Sequence, residues 1–447
     1  MLSRAVVICL LAPWLGLAAG APDTLLIDAV RSRDHHAFQR LVADGADINA
    51  SQPDGATALS WAVYLEDHEC AGALLRSGAK VDTADDYGDS PLSLACANGD
   101  SALAKKLIEA GADPNAARWN GETPLMIASG AGLADVAKLL IFKGAEIEAR
   151  QSQRYQTALM WAAVEGHSDI VGILVRAGAD VKAASKFGFT SLAFAAQKND
   201  LDSIAILLEA GVDPNAKTKS GATPINIAAA FGHTESVQRL LEAEADFTAA
   251  DNDGRTPLYS ASEKGDLRSV EMLLAAGADP DRQTNKIASL IGSSTMRPRD
   301  AQYAPLHIAA RYGHIEVMER LIDAGADIKA ETQAGCTFLM QAARSGRLDV
   351  VKFAYKYDQD VHATTPIGRT VIFTAVNGPS TYSTQPQICD VVRFLVEKGA
   401  DPDPQDTHGW TAISLADIYP VEEATELMYQ LTIAQGREVK ILPVARR

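Results

Sequence analysis

The stretch "NGETPLMIASGAGLADVAKLLIFKGAEIEA", residues 120–149, contains the signals of one complete structural repeat. Thr123 can cap the start of a helix, and Pro124 follows at the first helical position, where its missing N–H costs nothing. A second helix is predicted because the apolar residues Val136, Leu139 and Leu140 lie at positions i, i+3 and i+4 and so share one helix face. Gly144 ends that helix, since a left-handed residue is needed there. The stretch therefore predicts a helix-turn-helix repeat followed by a turn-rich loop.

The same pattern recurs along the chain, mostly at intervals of 33 residues. The position of Thr123 is occupied in turn by Thr24, Thr57, Ser90, Thr123, Thr157, Thr190, Thr223, Thr256, Ala304, Thr337, Thr370 and Thr411. This period, with the phrases "TPL" and "GAD", resembles the ankyrin repeat. The resemblance covers residues 22 to about 435 and implies an all-α ankyrin-repeat solenoid of about twelve helix-turn-helix units joined by β-hairpin-like loops. Because two short helices cannot bury their apolar faces alone, we expect stability to come from the interfaces between neighbours.

The two ends and two irregular segments divide this array. Residues 1–21 have a basic start, an apolar run and small residues, as in a secretory signal peptide, with a retained anchor as the alternative. The other predicted divisions are a capping unit at 22–50, repeats from about 52, an insertion at 285–299, a rim loop at 377–387, a C-terminal capping unit at 405–435 and a flexible tail at 436–447. We expect an exported protein, periplasmic in a Gram-negative bacterium or else extracellular.

The charge of the chain argues against two classes of partner. The sequence has 41 basic and 57 acidic side chains, and removal of the signal segment with Arg4 leaves a net charge of 40 − 57 = −17. Such a surface repels nucleic acid and anionic membranes. We therefore expect no nucleic-acid partner and no membrane contact beyond the signal peptide.

The cysteines do not form a recognisable framework. Cys70, Cys96, Cys336 and Cys389 remain after the signal segment, and none is in a CxxC motif. Cys70 and Cys96 lie in adjacent repeats, so a bridge between them is geometrically possible. Buried free thiols are the other interpretation, and the sequence favours it because so few cysteines cannot build a disulfide scaffold.

The sequence offers no clear set of catalytic or metal-binding residues. The histidines that fall ten residues after the start of a repeat are His167, His233 and His314, which resemble the structural Gly-His turn of the ankyrin family. His307 matches the family's first-helix histidine, and His35 and His36 are adjacent, so their side chains point apart. No P-loop, dinucleotide-binding fingerprint or nucleophile elbow is present. We expect no catalytic residue, no metal, no cofactor and no enzymatic activity.

The remaining candidate is a surface for a protein partner. In the ankyrin family, partners dock on the hairpin tips and on the exposed end of the first helix. These positions are rich in aromatic residues, and from Trp119 to Gly378 they hold more basic than acidic side chains. The predicted binding residues are Trp119, Arg154, Tyr155, Lys186, Phe187, Phe189, Phe231, Arg255, Tyr303, Arg311 and Tyr312. The alternative is that some of these aromatics pack against their neighbours and the charge excess is scatter.

Two further expectations follow from this surface. Asp54, Asp86 and Asp89 occupy equivalent positions in the N-terminal repeats, so the sequence favours binding in the middle of the array. The insertion at 285–299 carries no nucleophile, base or metal cluster, and we interpret it as a flap that contacts the partner, with a tolerated surface insertion as the alternative.

The predicted function is that of a monomeric, non-catalytic scaffold that presents a curved ankyrin surface to a protein partner in the periplasm. Three alternatives remain open at this point. The protein could be a secreted effector that engages host proteins, an inhibitor or immunity protein that blocks an enzyme, or an enzyme whose site is assembled from several repeats.

Overall fold

The computed structural model describes residues 24–286, 301–377, 384–416 and 421–439, and helices are the only regular elements within those ranges. The helices are α1 Leu25–Arg31, α2 His35–Ala43, α3 Ala58–Tyr64, α4 His68–Arg76, α5 Pro91–Asn98, α6 Ser101–Glu109, α7 Pro124–Gly130, α8 Ala134–Phe142, α9 Ala158–Glu165, α10 Ser168–Arg176, α11 Ser191–Lys198, α12 Leu201–Glu209, α13 Pro224–Phe231, α14 Thr234–Glu242, α15 Pro257–Lys264, α16 Leu267–Ala275, α17 Pro305–Tyr312, α18 Ile315–Asp323, α19 Phe338–Arg344, α20 Leu348–Tyr355, α21 Val371–Asn377, α22 Gln385–Glu397, α23 Ala412–Ala416 and α24 Glu422–Ala434. They form twelve consecutive pairs. The prediction of an all-α solenoid of about twelve helix-turn-helix units is confirmed.

Each pair begins at the capping residue that the sequence predicts. In α7 the Thr123 backbone is extended, and its side-chain oxygen accepts a hydrogen bond from the Met126 N–H at 3.3 Å. Pro124 occupies the first turn. The cap satisfies one of the N–H groups that a helix start leaves unpaired, which is worth about 1 kcal/mol.

Glycines with positive φ close the turns. Gly144, just after α8, has φ +91°, as predicted for a residue that ends the second helix. A second glycine lies at the tip of most hairpins, where the backbone of the next repeat approaches closely. At Gly188 (φ +80°) an added Cβ would come within 2.9 Å of the Lys219 backbone nitrogen, so the tip requires both the freedom and the small size of glycine.

In most pairs the first helix is more deeply buried than the second, which buries one stripe. In α7 every residue from Pro124 to Ser129 is buried. In α8 only Val136, Ala137 and Leu140 are buried, and the predicted core residue Leu139 is half-buried. First helices contact the first helices of adjacent repeats, as α7 does with α9 and α13 with α15. The core is therefore shared between neighbouring repeats.

The chain divides into two compact bodies, Met1–Ala179 and Asp180–Arg447, called here the N-terminal body and the C-terminal body. The N-terminal body contains α1–α10, and the C-terminal body contains α11–α24. The hairpin-like loops contain isolated antiparallel bridges at Ser51–Thr57, Ala184–Thr190 and Gln405–Thr411.

One boundary differs from the prediction. Residues 385–387 were expected to belong to the rim loop, but α22 begins at Gln385. Thr384 precedes it and forms a capping box with Gln387. The Ser, Thr and Pro content suggests a loop, yet Thr and Pro are also the residues that begin a helix. Residues 378–383 of the predicted loop lie outside the described part of the chain.

The start of the expected flexible tail is held in place. Gly436 follows α24 with φ +74° and ends the helix. Arg437 then forms an ion pair with Asp401. The predicted signal segment, residues 287–299 of the predicted insertion and the tail from residue 440 onward lie outside the described residues.

Candidate protein-binding surface

The hairpin tips are tied to one another by backbone hydrogen bonds. In the N-terminal body the Asp86 N–H donates to the Asp54 carbonyl at 2.8 Å. In the C-terminal body the Lys219 N–H donates to the Phe187 carbonyl at 2.9 Å. Because these tips are anchored to the tip of a neighbouring repeat in the same body, their side chains project from a fixed backbone.

Three predicted binding residues lie in the N-terminal body, and all are exposed. Trp119 is 68% exposed, Arg154 is exposed and Tyr155 is 47% exposed. Tyr155 occupies a tip position where other hairpins, such as that of Gly121, carry glycine. It adopts the same left-handed backbone, with φ +55° against +80° at Gly121. A non-glycine residue in this conformation costs about 1–2 kcal/mol, so Tyr155 is retained at the expense of local strain.

Five predicted residues are well exposed in the C-terminal body. They are Lys186, Phe187 (55%), Phe231 (52%), Arg255 and Tyr312 (40%). Phe189 is half-buried and stacks on Phe194, with ring centroids 5.2 Å apart. The alternative interpretation, that some of these aromatics pack against their neighbours, therefore describes Phe189.

The exposure expected for Tyr303 is not observed. Its side chain is only 7% exposed and packs with Tyr259 and Ile308. The Tyr303 hydroxyl oxygen accepts hydrogen bonds from Arg311 at 2.8 Å and from Arg344 at 3.3 Å. The Arg311 guanidinium also lies over the Tyr303 ring and is half-buried. Tyr303 therefore positions two basic side chains, which sequence offsets could not distinguish from direct exposure.

The histidines support two of the exposed aromatics. The Phe231 ring stacks on His233, and the Tyr312 ring stacks on His314, with centroids 5.9 and 6.4 Å apart. Each imidazole in turn reaches a carbonyl of the preceding repeat: His233 Nε2 lies 3.0 Å from the Gln197 oxygen. The corresponding distances are 3.0 Å from His314 to the Glu263 oxygen and 3.2 Å from His167 to the Gly130 oxygen. The structural role predicted for these histidines is confirmed.

The surroundings of His314 change its pKa. Burial lowers its pKa below the usual histidine value, and the nearby Arg347 guanidinium lowers it further. His307 is buried too, with Nδ1 accepting from the Ala304 N–H at 3.1 Å and Nε2 lying 2.9 Å from the Ala330 oxygen. Both side chains join neighbouring segments of the array.

Sequence reasoning missed a pocket in the N-terminal body. Four aromatic rings, four carboxylates and one arginine converge on a space of about 250 Å³; they are Trp61, Tyr64, Tyr87, Trp119, Asp54, Asp85, Asp89, Glu122 and Arg118. These residues come from three successive repeats. The sequence shows each residue at a tip or helix-end position, but only stacking brings them together.

The polar groups of this pocket are tied to its backbone or to one another. Arg118 donates to Asp89 at 2.5 Å and to Glu122 at 3.2 Å. Asp85 accepts from the backbone N–H groups of Tyr87 and Asp89 at 2.9 and 2.8 Å. Burial raises the pKa of the Asp85 carboxyl, and the charges of Asp89 and Asp54 act in the same direction.

A different cavity lies in the C-terminal body at the base of the predicted insertion. Its lining includes the basic side chains Arg255, Lys286 and Arg311 and the rings of Tyr303 and Tyr312. The Thr284 N–H donates to the Tyr303 carbonyl at 3.1 Å, which joins the two described ends of the insertion. The partner-contacting flap itself stays a prediction.

Sequence reasoning also missed a cluster of His35, Asp67 and Cys70, whose potential ligand atoms all lie within 4.8 Å of one another. The sequence analysis considered His35 only together with its chain neighbour His36. It did not consider a contact between His35 and residues of the next repeat. Asp67 caps α4 by accepting from the Cys70 N–H at 3.0 Å. Asp200 and Ser203 form the same cap in another repeat, so Cys70 stands where serine is used. Burial raises the pKa of the Cys70 thiol to about 12, which disfavours the thiolate that a metal requires.

Two other expectations concern disulfide pairing and membrane-spanning segments. Cys70, Cys96, Cys336 and Cys389 are free and buried in the structure. Among the described residues, no helix is both long and apolar enough to cross a membrane.

Known proteins resemble this chain through its repeats. E3 ubiquitin-protein ligase XBAT33 of Arabidopsis thaliana is 42% identical over 77 residues, covering 17% of this chain and 15% of that protein. Probable E3 ubiquitin-protein ligase XBOS32 of Oryza sativa subsp. japonica is 34% identical over 90 residues, covering 18% of each. Ankyrin repeat and KH domain-containing protein 1 of Homo sapiens is 40% identical over 74 residues, covering 16% of this chain and 3% of that protein. The chain thus spans less than a fifth of each of these relatives.

The family comparison covers far more of the chain. The family model described as "Ankyrin repeats (3 copies)" matches residues 25–118, 92–185, 125–218, 192–284, 286–365 and 339–433. These matches coincide with the helix pairs and tied tips described above. The chain belongs to the ankyrin repeat family.

Proposed function

We propose that this protein is a non-catalytic, monomeric scaffold that binds a protein partner through its hairpin tips and the exposed ends of its first helices. The observation that carries the proposal is the set of exposed aromatic rings on a tied backbone. Phe187 lies on a tip whose carbonyl is hydrogen-bonded to the next tip, and Phe231 and Tyr312 stack on anchored histidines. Aromatic and arginine side chains are the usual anchors of protein interfaces.

Rigidity strengthens this proposal. A flexible surface loses conformational freedom when it binds, and each ordered side chain costs about 0.5–1.5 kcal/mol. The His233 and His314 imidazoles already restrict the rings that stack on them. Little further ordering is then needed when a partner covers these rings.

The non-catalytic part of the proposal rests on the family. Ankyrin repeats generally act as binding scaffolds, and function must be argued from a site rather than from the fold. The ligase names belong to the relatives, whose similarity to this chain covers a fraction of their length. The charged clusters around Asp67 and Arg118 are accounted for by a helix cap and by ion pairs.

The proposed setting is the periplasm, supported by the composition of residues 1–21. Cell fractionation and N-terminal sequencing test it. A mature chain that begins near residue 22 in the periplasmic fraction supports export. A cytoplasmic chain that begins at Met1 contradicts it.

A capture experiment tests the binding function. Residues 22–447 are immobilised and exposed to periplasmic extract, beside the triple variant Phe187→Ala, Phe231→Ala, Tyr312→Ala. The matched control is Phe142→Ala with Tyr357→Ala, because these aromatics are exposed at the end of α8 and just beyond α20. We expect a partner that the wild type and the control retain and the triple variant loses. Equal capture by all three proteins, or the absence of any specific partner, contradicts the proposed surface.

A further inference from the structure

We propose that the pocket of the N-terminal body binds a basic side chain, a lysine or an arginine, presented by the protein partner. The inference rests on the proposed function, because it assigns part of the partner's chemistry. The juxtaposition that carries it is a wall of aromatic rings beside unmatched carboxylates, within one pocket.

The aromatic wall suits the stem and the head of a basic residue. Trp119 and Tyr87 are exposed at its rim, and Trp61 and Tyr64 meet edge to face with centroids 5.7 Å apart. The guanidinium of Arg31 lies 4.7 Å from the centroid of the Trp61 ring. Arg31 is not among the residues that line the pocket, but the contact shows that the Trp61 ring attracts a cation. Indole is also the aromatic group that attracts cations most strongly.

The charges of the pocket leave an excess of carboxylate. Four acidic side chains and one basic side chain line it, which gives a net charge of 1 − 4 = −3. Arg118 is matched by Asp89 and Glu122. Within the described part of the chain, Asp54 and Asp85 accept hydrogen bonds from backbone N–H groups and pair with no basic side chain.

A cation bound in the pocket would stabilise the ionised form of the Asp85 carboxyl. The Asp85 carboxyl is half-buried near two other carboxylates, a position in which its charge is disfavoured. A cation within about 4–6 Å favours the ionised form. We therefore expect the pocket to bind a positively charged ligand more tightly than a neutral ligand of the same shape.

The dimensions fit one side chain rather than a larger ligand. The pocket volume of about 250 Å³ is below the roughly 300–1,000 Å³ of typical small-molecule sites. Lysine and arginine bury their methylene stems against apolar surface while the charged head reaches polar groups. In the C-terminal body the corresponding cavity carries Arg255, Lys286 and Arg311 beside Asp253 and Glu263, so it lacks the excess of carboxylates that this pocket has.

Fluorine NMR of the full mature chain tests the inference. Residues 22–447 are labelled with 5-fluorotryptophan, which reports Trp61 and Trp119 in the pocket and Trp161 and Trp410 outside it. The probes are Nα-acetyl-lysine amide, Nα-acetyl-arginine amide and the Nε-acetylated form of the lysine probe. We expect a saturable shift of the two pocket resonances with at least one basic probe and none with the neutral one.

Variants identify the groups responsible. Asp54→Asn combined with Asp85→Asn keeps oxygen acceptors for the backbone N–H groups but removes the charge. We expect it to weaken probe binding at least about tenfold, equivalent to about 1.4 kcal/mol. Asp251→Asn, in the C-terminal body, is the matched control, because Asp251 accepts from the backbone N–H groups of Asp253 and Arg255 as Asp85 does in the pocket. It should leave the affinity unchanged. Circular dichroism and the unshifted Trp161 resonance verify that the charge variant is folded.

Two results would overturn the inference. One is an equal response to the basic and the neutralised probe, which would make the pocket merely apolar. The other is no saturable response to either basic probe up to about 100 mM, where any affinity is below about 1.4 kcal/mol. Neither result bears on the aromatic residues replaced in the capture experiment, so failure here and failure of the proposed function are distinguishable.

Discussion

The two bodies place opposite charges at equivalent positions of the same repeat. Immediately before the residue that caps the first helix, the N-terminal body has Asp89 and Glu122, whereas the C-terminal body has Arg255 and Arg369. The first pair surrounds Arg118 in an aromatic pocket. Arg255 instead lines a cavity with further basic residues. The helical repeat therefore restricts the residues at the hairpin tips very little, so each body can carry its own recognition chemistry.

The capping residues and the buried residues of the first helices are equivalent in both bodies. Thr123 in one and Thr256 in the other cap helices by accepting from the third residue of the helix. Leu125 and Leu258 follow at equivalent positions, and each is 1% exposed. Burial restricts these positions to apolar side chains of similar size, while the tips face solvent.

The largest expected effect tests whether the buried first helices contribute equally to stability in the two bodies. Leu125→Ala and Leu258→Ala each remove a buried side chain from a first helix, and we expect each to cost about 2–5 kcal/mol of unfolding free energy. Urea denaturation followed by circular dichroism measures this cost. Trp119→Ala, at an exposed tip, is the control and should change stability by less than about 0.5 kcal/mol. A loss confined to one leucine would break the equivalence.

A smaller effect of opposite sign is expected at Tyr155. Tyr155→Gly removes a side chain held at φ +55°, and we expect a gain of about 1 kcal/mol after the greater freedom of the unfolded chain is counted. The midpoint of thermal unfolding measures it. Arg154→Gly, its exposed neighbour, is the control, because the structure gives it no positive φ, and it should not stabilise. If Tyr155→Gly destabilises the protein, the ring makes a packing contribution larger than the strain.

The smallest expected effect concerns pH and the support beneath Tyr312. Burial lowers the pKa of His314, so the unfolded chain takes up a proton before the folded one does. The stability due to neutral His314 is complete above about pH 6.5, the usual histidine value. It is lost as the pH falls through the lower folded pKa.

Urea midpoints measured at pH 7.5 and at successively lower pH values test this dependence. In His314→Gln the loss of stability on acidification should be smaller than in the wild type. His408→Gln, at an exposed position, is the control and should keep the wild-type dependence. An unchanged dependence in His314→Gln would assign the acid sensitivity to other groups.

Much of the fold could be predicted from the sequence because the signals are local. Thr123, Pro124 and Gly144 act within one helix turn of their own positions, so their roles follow from spacing. The start of α22 at Gln385 was missed because the same residue types serve loops and helix caps. The burial of Tyr303 was missed because it depends on Tyr259 and Arg344 from other repeats. The stacking of Phe189 on Phe194 was left as an alternative, because the position of a residue in the repeat does not fix the direction of its ring.

The repeat, its period, the helix caps and the family follow from the amino-acid sequence, since these depend on residues near one another in the chain. Which tip residues are exposed and which converge depends on the folded structure. Asp54, Tyr87 and Trp119 lie in three successive repeats, about 33 residues apart, yet they line one pocket. When the repeats stack, residues one period apart in the sequence come into contact with each other. The pattern within a single repeat does not predict these contacts between repeats.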